Sequence, residues 1–324
     1  MNSPTPRHVY GLLSARSLSY SRICLRSLFR NVVEPISLTL ITDKPSDKAA
    51  LIETMEEIAP DPRHSWKVVD EVEADARAEV LYAKYPMIRW FRKGNPCWRK
   101  ITDPSLFAEP GQEMVVLDPD VYFPNPFNFE ATPATGLLQM WQLPNCLYPP
   151  ETVRLAFEQG VRMADHVDIG VSQATFPFDF DWLENLIVKL GGTNLPTWSM
   201  HVEPIIWAAM AMEFGGGYLD PKAWFCINYS IPTRMKLRFL KVDNLDILRR
   251  EPIRDVKCFH AGGAAKAWLV EAEKAGLLVG NGIQREPTNP LPYQLYPRAK
   301  FDKKQRILKL ATAMGVMALV KGGG

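Results

Sequence analysis

The sequence predicts an α/β protein: a mixed, mostly parallel sheet with helices on both faces, followed by a helical C-terminal tail. Three observations carry that reading. Short apolar strands alternate with helical patterns through the first half of the chain, as they do where helices connect parallel strands. One apolar strand, Met114 to Leu117, runs out into two carboxylates, Asp118 and Asp120. Another, in VKCFH, ends at His260 and passes through Gly262 and Gly263 into a helical pattern. The 324 residues suffice for one large domain or two small ones, and 47% apolar with 23% charged residues is ordinary globular composition.

Taken in order, His8 to Leu13 reads as a strand. Ser19 to Arg30 follows as a helix, with Ile23, Leu25, Leu28 and Phe29 at roughly helical spacing. Ser37 to Thr42 alternates like a strand and stops at the turn Asp43-Lys44-Pro45. A helix from Ser46 to Ile58, a strand at Trp66 to Val69 and a helix ending near Tyr85 continue the alternation. Pro86 to Pro110, rich in Trp, Pro and Cys, reads as irregular. Beyond the two carboxylates lie a second short β run, a strand at His166 to Val171, and helices at Asp179 to Leu190 and Val202 to Phe214, the last broken by Gly215-Gly216-Gly217. Ala264 to Ala275 is a strong helical pattern. Pro287, Pro290, Pro292 and Pro297 mark a linker, and a last helix runs from about Asp302 to Val320. The expected division is one domain over 1–285, then a linker and a basic amphipathic helix over 286–324.

Several function classes drop out. A formal net charge of +2 leaves no broad footprint for nucleic acid. Cys24, Cys97, Cys146, Cys226 and Cys258 are scattered without zinc-site spacing and read as reduced thiols. The opening residues do not resemble a signal peptide and no long uncharged apolar run marks a membrane span, so the expected location is cytoplasmic. Nucleophile-elbow, zinc-protease and Walker patterns are absent, and Gly215-Gly216-Gly217 lacks the strand–turn–helix context of a dinucleotide site. The glycine-rich N-terminal loop of a sugar nucleotidyltransferase is missing too. In its place Ser14, Ala15, Arg16 and Ser17 are suited either to cradling a nucleoside or to an ordinary polar turn.

Two motifs carry chemistry. Asp118-Pro119-Asp120 puts two carboxylates at a strand's C-terminal end, where side chains at i and i+2 share a face and a hard divalent cation fits. Alone, such a pair is commonly a solvated turn. The second motif is His260-Ala261-Gly262-Gly263-Ala264-Ala265-Lys266-Ala267-Trp268. Imidazole suits a transition metal as a third ligand, and glycines opening a helix expose N–H groups to an anion. Lys266 adds a full charge beside the same anion. A strand-end His before a capped helix is the plain structural alternative.

Together these residues resemble the family-eight glycosyltransferases, which include glycogenin and the bacterial lipopolysaccharide α-galactosyltransferases. His260, Gly263, Lys266 and Trp268 fall on that family's H-x-x-G-x-x-K-x-W motif, downstream of the D-x-D at Asp118 and Asp120. Weaker likenesses are the opening strand and helix, Trp98-Arg99-Lys100, and Asp168-Ile169-Gly170-Val171 where the family often has Asn-x-Gly-Val; they span roughly residues 8–275. The resemblance implies a GT-A-like fold, a UDP-sugar donor, a glycan or lipid-linked acceptor, and transfer with retention. It implies Asp118, Asp120 and His260 as ligands of Mn²⁺ (or Mg²⁺), and Asp118, Gly263, Lys266 and Lys100 as donor contacts, to which the polar turn at Ser14 adds a candidate nucleoside contact. The family's Asp-Gln pair aligns best with Glu203-Pro204, which keeps the carboxylate and loses the amide, so Glu203 and Asp168 are the candidate catalytic residues.

Other readings stay open. A sugar-nucleotide-binding protein without turnover fits the missing amide at Pro204, and a metal-dependent nucleotidyltransferase would use the same ligand set. Trp141, Trp182, Trp198, Trp207, Trp224 and Trp268 are suited either to stacking on sugars or, as large aromatics usually are, to the core, and Trp268 would support Lys266. His201, beside Glu203, reads as an acceptor contact or, more commonly, a helix cap, and His166 likewise. In the tail, Lys303, Lys304, Arg306 and Lys309 lead an apolar stripe of Ile307, Leu310, Ala311, Met314 and Met317. That stripe is expected either to dock on the domain or to make a weak peripheral membrane contact through residues 299–324.

Overall fold

The computed structural model describes residues 5–59, 61–229, 233, 236–237 and 239–313. Eight strands form the central sheet: β1 (Arg7–Leu12), β2 (Ile36–Ile41), β3 (Ser65–Val69), β4 (Glu113–Leu117), β6 (Leu137–Trp141), β7 (Val167–Thr175), β8 (Gly216–Tyr218) and β11 (Leu291–Pro292). Their spatial order is β11-β8-β6-β7-β4-β1-β2-β3. Strands β4, β1, β2 and β3 are mutually parallel, as are β6 and β8, whereas β7 runs antiparallel to both β4 and β6. The carboxyl end of β4 therefore lies where the parallel half of the sheet meets its one reversed central strand.

Helices α1 (Leu18–Asn31) and α2 (Lys48–Ile58) follow β1 and β2 as crossovers, and α3 (Glu71–Leu81) follows β3. Asp70 opens α3 with a capping box, accepting the Glu73 N–H while Glu73 reaches back to the Asp70 N–H. The stretch Pro86–Pro110 is not irregular. It holds α4 (Pro86–Arg92), α5 (Arg99–Thr102) and single 3₁₀ turns, and Pro86, Pro96 and Pro104 each begin one of them. Proline's missing N–H is no loss in a first helical turn, so residues that read as breakers act as starters.

Strand β6 and helix α6 (Pro150–Glu158) add to the elements legible from periodicity. Gly216 is obligatory where β8 meets β6: its φ is +106°, and a Cβ there would stand 1.9 Å from the Leu137 carbonyl oxygen. After β7, α7 (Phe180–Lys189) leads to α8 (Val202–Phe214), whose residues Val202 to Ala211 are all buried. A helix apolar on every side runs through a core, which makes Glu203 in its first turn conspicuous.

A second, three-stranded sheet is ordered β5-β10-β9, from β5 (Val121–Tyr122), β9 (Trp224–Cys226) and β10 (Cys258–His260). It packs in its own apolar cluster with α1, α9 (Asn244–Arg250) and α10 (Leu269–Lys274). The expected helix from Ala264 proves to be a 3₁₀ stretch, Gly263–Trp268, running into the short α10. Residues 286–297, read as a linker from their prolines, lie along the main sheet: β11 pairs antiparallel with β8, and Tyr296 is buried. Helix α11 (Arg298–Ala313) is anchored by Phe301 against Phe157 and by the Lys300–Asp165 ion pair, while Ile307 and Leu310 are exposed. Met314 and Met317 lie outside the described residues. No described helix is long and apolar enough to cross a membrane.

Candidate metal and diphosphate site

The D-x-D segment and His260 meet because strand pairing brings them together. After β4 the chain turns at Asp118-Pro119, with the Asp118 N–H donated to the Gly170 carbonyl at 2.9 Å. It then enters β5, where Val121 stands opposite His260 and Tyr122 opposite Phe259. The Ala261 N–H donates to the Asp120 carbonyl at 3.0 Å, so the register is locked on both sides of the histidine. Residues far apart in the chain thereby place one ligand atom each from Asp118, Asp120 and His260 within 4.8 Å of one another.

His260 works on two sides. Its Nε2 is 3.2 Å from Asp120 and 3.7 Å from Asp118, and its Nδ1 is 2.9 Å from Asp168. With Nδ1–H donated to Asp168, the Nε2 lone pair faces the D-x-D carboxylates, the arrangement found behind metal-bound histidines. Burial disfavours a charged imidazole here, but Asp168 and Asp120 outweigh it and hold the His260 pKa well above its usual value. Burial raises Asp118 although Lys100 opposes it; at Asp120 burial is outweighed by His260, with help from Lys266 and Lys100, and the pKa falls.

Lys100 is delivered by α5. Trp98, just before it, is fully buried, stacks on Phe91 at 4.6 Å and donates Nε1–H to the Ser199 carbonyl at 2.9 Å. Thus fixed, α5 aims the buried Lys100 ammonium at Asp118 (2.7 Å) and Glu203 (3.1 Å). Burial works against the charge on Lys100, yet the two carboxylates raise its pKa. The Glu203 Oε1 also accepts Trp207 Nε1–H at 3.1 Å, while its buried Oε2 has no hydrogen-bond partner among the described residues. Burial pushes the Glu203 carboxyl up to about 8.

The sequence-predicted residues divide by place. Asp120, His260, Lys100, Asp168 and Glu203 form one contiguous buried cluster, with Asp118 half-buried at its edge. Lys266 is half-buried at its edge, over the Tyr20 ring at 5.8 Å, and near enough to lower Asp120. Gly263, with φ +63°, is exposed beside it. The anion argument at this corner therefore rests on Lys266 and the backbone of Gly262 and Gly263, since the six-residue α10 follows a 3₁₀ turn and carries no long helix dipole. Ser14 lies after β1, its carbonyl accepting the Ser17 N–H, next to an apolar hollow lined by Leu13, Cys24, Leu117 and Pro119 beside Asp118. Sequence reasoning missed Cys226, which offers a sulfur beside Asp168 and His260, and the reason for Gly170, where a Cβ would stand 2.6 Å from the His260 ring. Pairing of β9 with β10 sets Cys226 opposite His260, a long-range fact with no local signal.

The chain matches no protein-family model and no curated protein sequence. Among solved structures it is similar to mouse xyloside xylosyltransferase 1 in its apo form: TM-score 0.51, 11% identity, covering 80% of this chain and 98% of that one. It also aligns with the galactosyltransferase LgtC in complex with donor and acceptor sugar analogues, at TM-score 0.44 and 12% identity over 84% of this chain and 95% of that one. The mannosyltransferase Ktr4p of S. cerevisiae in complex with GDP aligns at TM-score 0.40 and 9% identity over 64% of this chain and 67% of that one. The protein thus has the GT-A-type α/β fold of glycosyltransferases, the fold class expected from its motifs.

Proposed function

We propose that this protein is a metal-dependent glycosyltransferase, moving a sugar from a nucleotide-sugar donor, a UDP-sugar by its motifs, to a hydroxyl of a glycan or lipid-linked acceptor with retention. One observation carries the reading: Asp118, Asp120 and His260 converge at the carboxyl edge of the sheet, on the fold of a known xylosyltransferase. Two carboxylate oxygens and an imidazole nitrogen suit Mn²⁺ or Mg²⁺. Such an ion supplies Lewis acidity for the diphosphate as it departs. The chain's own groups do the rest. Lys266 and the N–H groups at Gly262 and Gly263 receive the diphosphate, and the Ser14 turn receives the nucleoside. Lys100 holds Asp118 and Glu203 in fixed relation, and Glu203 borders the reacting sugar. Asp168 fixes the ring of His260. The five free thiols fit a reducing compartment and so a cytoplasmic enzyme. Weak peripheral membrane contact through 299–324 stays within the proposal, with Ile307 and Leu310 as its exposed apolar positions among the described residues.

The test is a donor screen: UDP-sugars with Mn²⁺, reading released UDP. Release with at least one donor is expected. Pyrophosphate released from a nucleoside triphosphate would make it a nucleotidyltransferase. Tight UDP binding with no turnover of any donor would make it a binding protein. That second reading draws on Glu203, whose only free carboxylate oxygen is buried and whose neighbour is Pro204 instead of an amide.

A further inference from the structure

Two loops at the mouth of the site expose more aromatic surface than a solvated rim requires. Residues 143–149 follow β6 and lead into α6; residues 195–201 lead into α8. Between them, Trp198 is 67% exposed and Tyr148 44% exposed, and the same loops expose Leu143 and Met200. The rings are arranged as a corner. Tyr148 stands edge-on to Trp198 at 6.4 Å and edge-on to the half-buried His201 at 6.0 Å. Scattered apolar residues on a surface need no explanation, but a contiguous exposed aromatic group marks a binding surface.

Both loops are tied to the buried cluster. His201 precedes Glu203 by two residues and feels the charge of Lys100, while Ser199 holds the Trp98 indole that positions Lys100. On the other loop the Cys146 thiol lies within electrostatic reach of Asp168 and Glu203. That loop is further braced by Asn145, which donates to Asp165 at 2.7 Å and accepts from Lys304 at 3.3 Å. The aromatic corner therefore stands on segments tied to the carboxylate proposed to border the donor's sugar. A second reactant must approach that carbon within about 3–3.5 Å to react.

The chemistry selects the occupant. Residues 143–149 and 195–201 contain no Lys, Arg, Asp or Glu, and the cation beside them, Lys304, is held by Asn145, so the two loops themselves offer no charge to a phosphate, an anionic headgroup or a charged peptide. What they offer is flat π faces with polar tips: the indole N–H, the phenol and an imidazole that burial and Lys100 keep neutral. We propose that Trp198, Tyr148 and His201 form the acceptor platform of this protein and bind an uncharged hexopyranoside, its C–H face on the rings and its hydroxyls at their tips. This rests on the glycosyltransferase reading and names the acceptor class for it.

The full chain is titrated with UDP in the presence of Mn²⁺, then with lactose, methyl β-D-galactopyranoside, methyl β-D-glucopyranoside and methyl α-D-mannopyranoside. Glycerol is the polyol control. Tryptophan fluorescence and saturation-transfer NMR report binding. The expected result is millimolar binding of at least one pyranoside and none of glycerol. Trp198→Ala and Tyr148→Ala should each weaken it about tenfold with UDP affinity unchanged, and Trp198→Phe should largely restore it. Both alanine changes fall on exposed rings, and matching thermal melts show that the variants fold. If wild type binds UDP but no pyranoside, or the alanine variants bind sugar as wild type does, the platform is overturned. It is equally overturned if Trp198→Ala abolishes sedimentation with phosphatidylglycerol vesicles while sugar binding persists. Failure of wild type to bind UDP strikes the donor reading instead, and the pyranoside titration still decides the platform.

Discussion

Two buried ionic clusters stand in this protein, and they are built on opposite plans. In one, Glu130 accepts from Lys257 (2.7 Å), the Trp224 indole (2.7 Å), and the Thr288 N–H (2.6 Å) and hydroxyl (3.0 Å), while Lys257 also donates to the Asn128 carbonyl at 3.0 Å. One anion meets one cation and both carboxylate oxygens have donors. In the other, Asp118, Asp120, Asp168 and Glu203 crowd around Lys100 and His260, and a Glu203 oxygen is left without a donor. Folding alone would favour the first plan, since buried charge is costly unless paired and hydrogen-bonded. The surplus of carboxylates in the second is the chemistry that the proposed divalent cation would answer.

The largest expected effect breaks the balanced cluster. Lys257→Met strands Glu130 with one donor class removed, and should lower stability by about 3–5 kcal/mol in denaturant unfolding. UDP affinity measured where the variant is folded should not change. A wild-type unfolding curve would mean that the pair is not the structural staple its geometry suggests.

Next comes the surplus cluster, where removing a charge should have the opposite sign for stability. Asp118→Asn, at the carboxyl whose pKa burial raises, should leave the metal-free melting temperature unchanged or raised, abolish the Mn²⁺ dependence of UDP binding, and cut turnover by on the order of 3 kcal/mol, roughly a hundredfold. A melting temperature that drops as for Lys257→Met would make Asp118 a member of the structural network.

A smaller effect separates the two faces of His260. Asp168→Asn keeps the shape but loses the carboxylate that fixes the Nδ1 proton, and Mn²⁺ affinity should fall about 10–100-fold, by calorimetry. UDP affinity without metal should hold. If Mn²⁺ affinity is intact and only acceptor use is lost, Asp168 belongs to the reacting side, as the family resemblance alone implied.

This contrast also explains what the sequence disclosed. D-x-D after an apolar strand, and His260 before glycines, are local patterns whose chemistry can be read from spacing, and β1, β2, β3 and β4 announce themselves by alternation. What stayed hidden depends on pairing across the sheets. Cys226 reaches His260 only through the β9–β10 register, and Glu203 reaches Lys100 only because α8 runs through the core beside α5. Gly170 is small because an imidazole packs on it, and no local rule says so. The Pro86–Pro110 helices were obscured because proline begins a helix as readily as it ends one. Strand β11 was hidden because prolines at a sheet edge look like a linker.

The finest test uses acidity to ask whether Glu203 shares in the surplus. Its carboxyl has an ordinary value of 4.5, and burial pushes it up to about 8. The folded chain thus binds a proton here that the unfolded chain releases above pH 4.5, so this group's contribution to stability is full below that pH and is lost as pH rises toward 8. Glu203→Gln, which cannot ionise, should flatten this part of the metal-free pH–stability curve between about pH 5 and 8 relative to wild type. Lys257→Met should leave the same slope in place. The substitution also decides the residue's role. Lost turnover with wild-type UDP affinity and an undiminished melting temperature puts Glu203 at the reacting sugar. Normal turnover with a melting temperature lowered by the equivalent of ~0.3–1 kcal/mol would make it only an acid favoured at the N-terminus of α8.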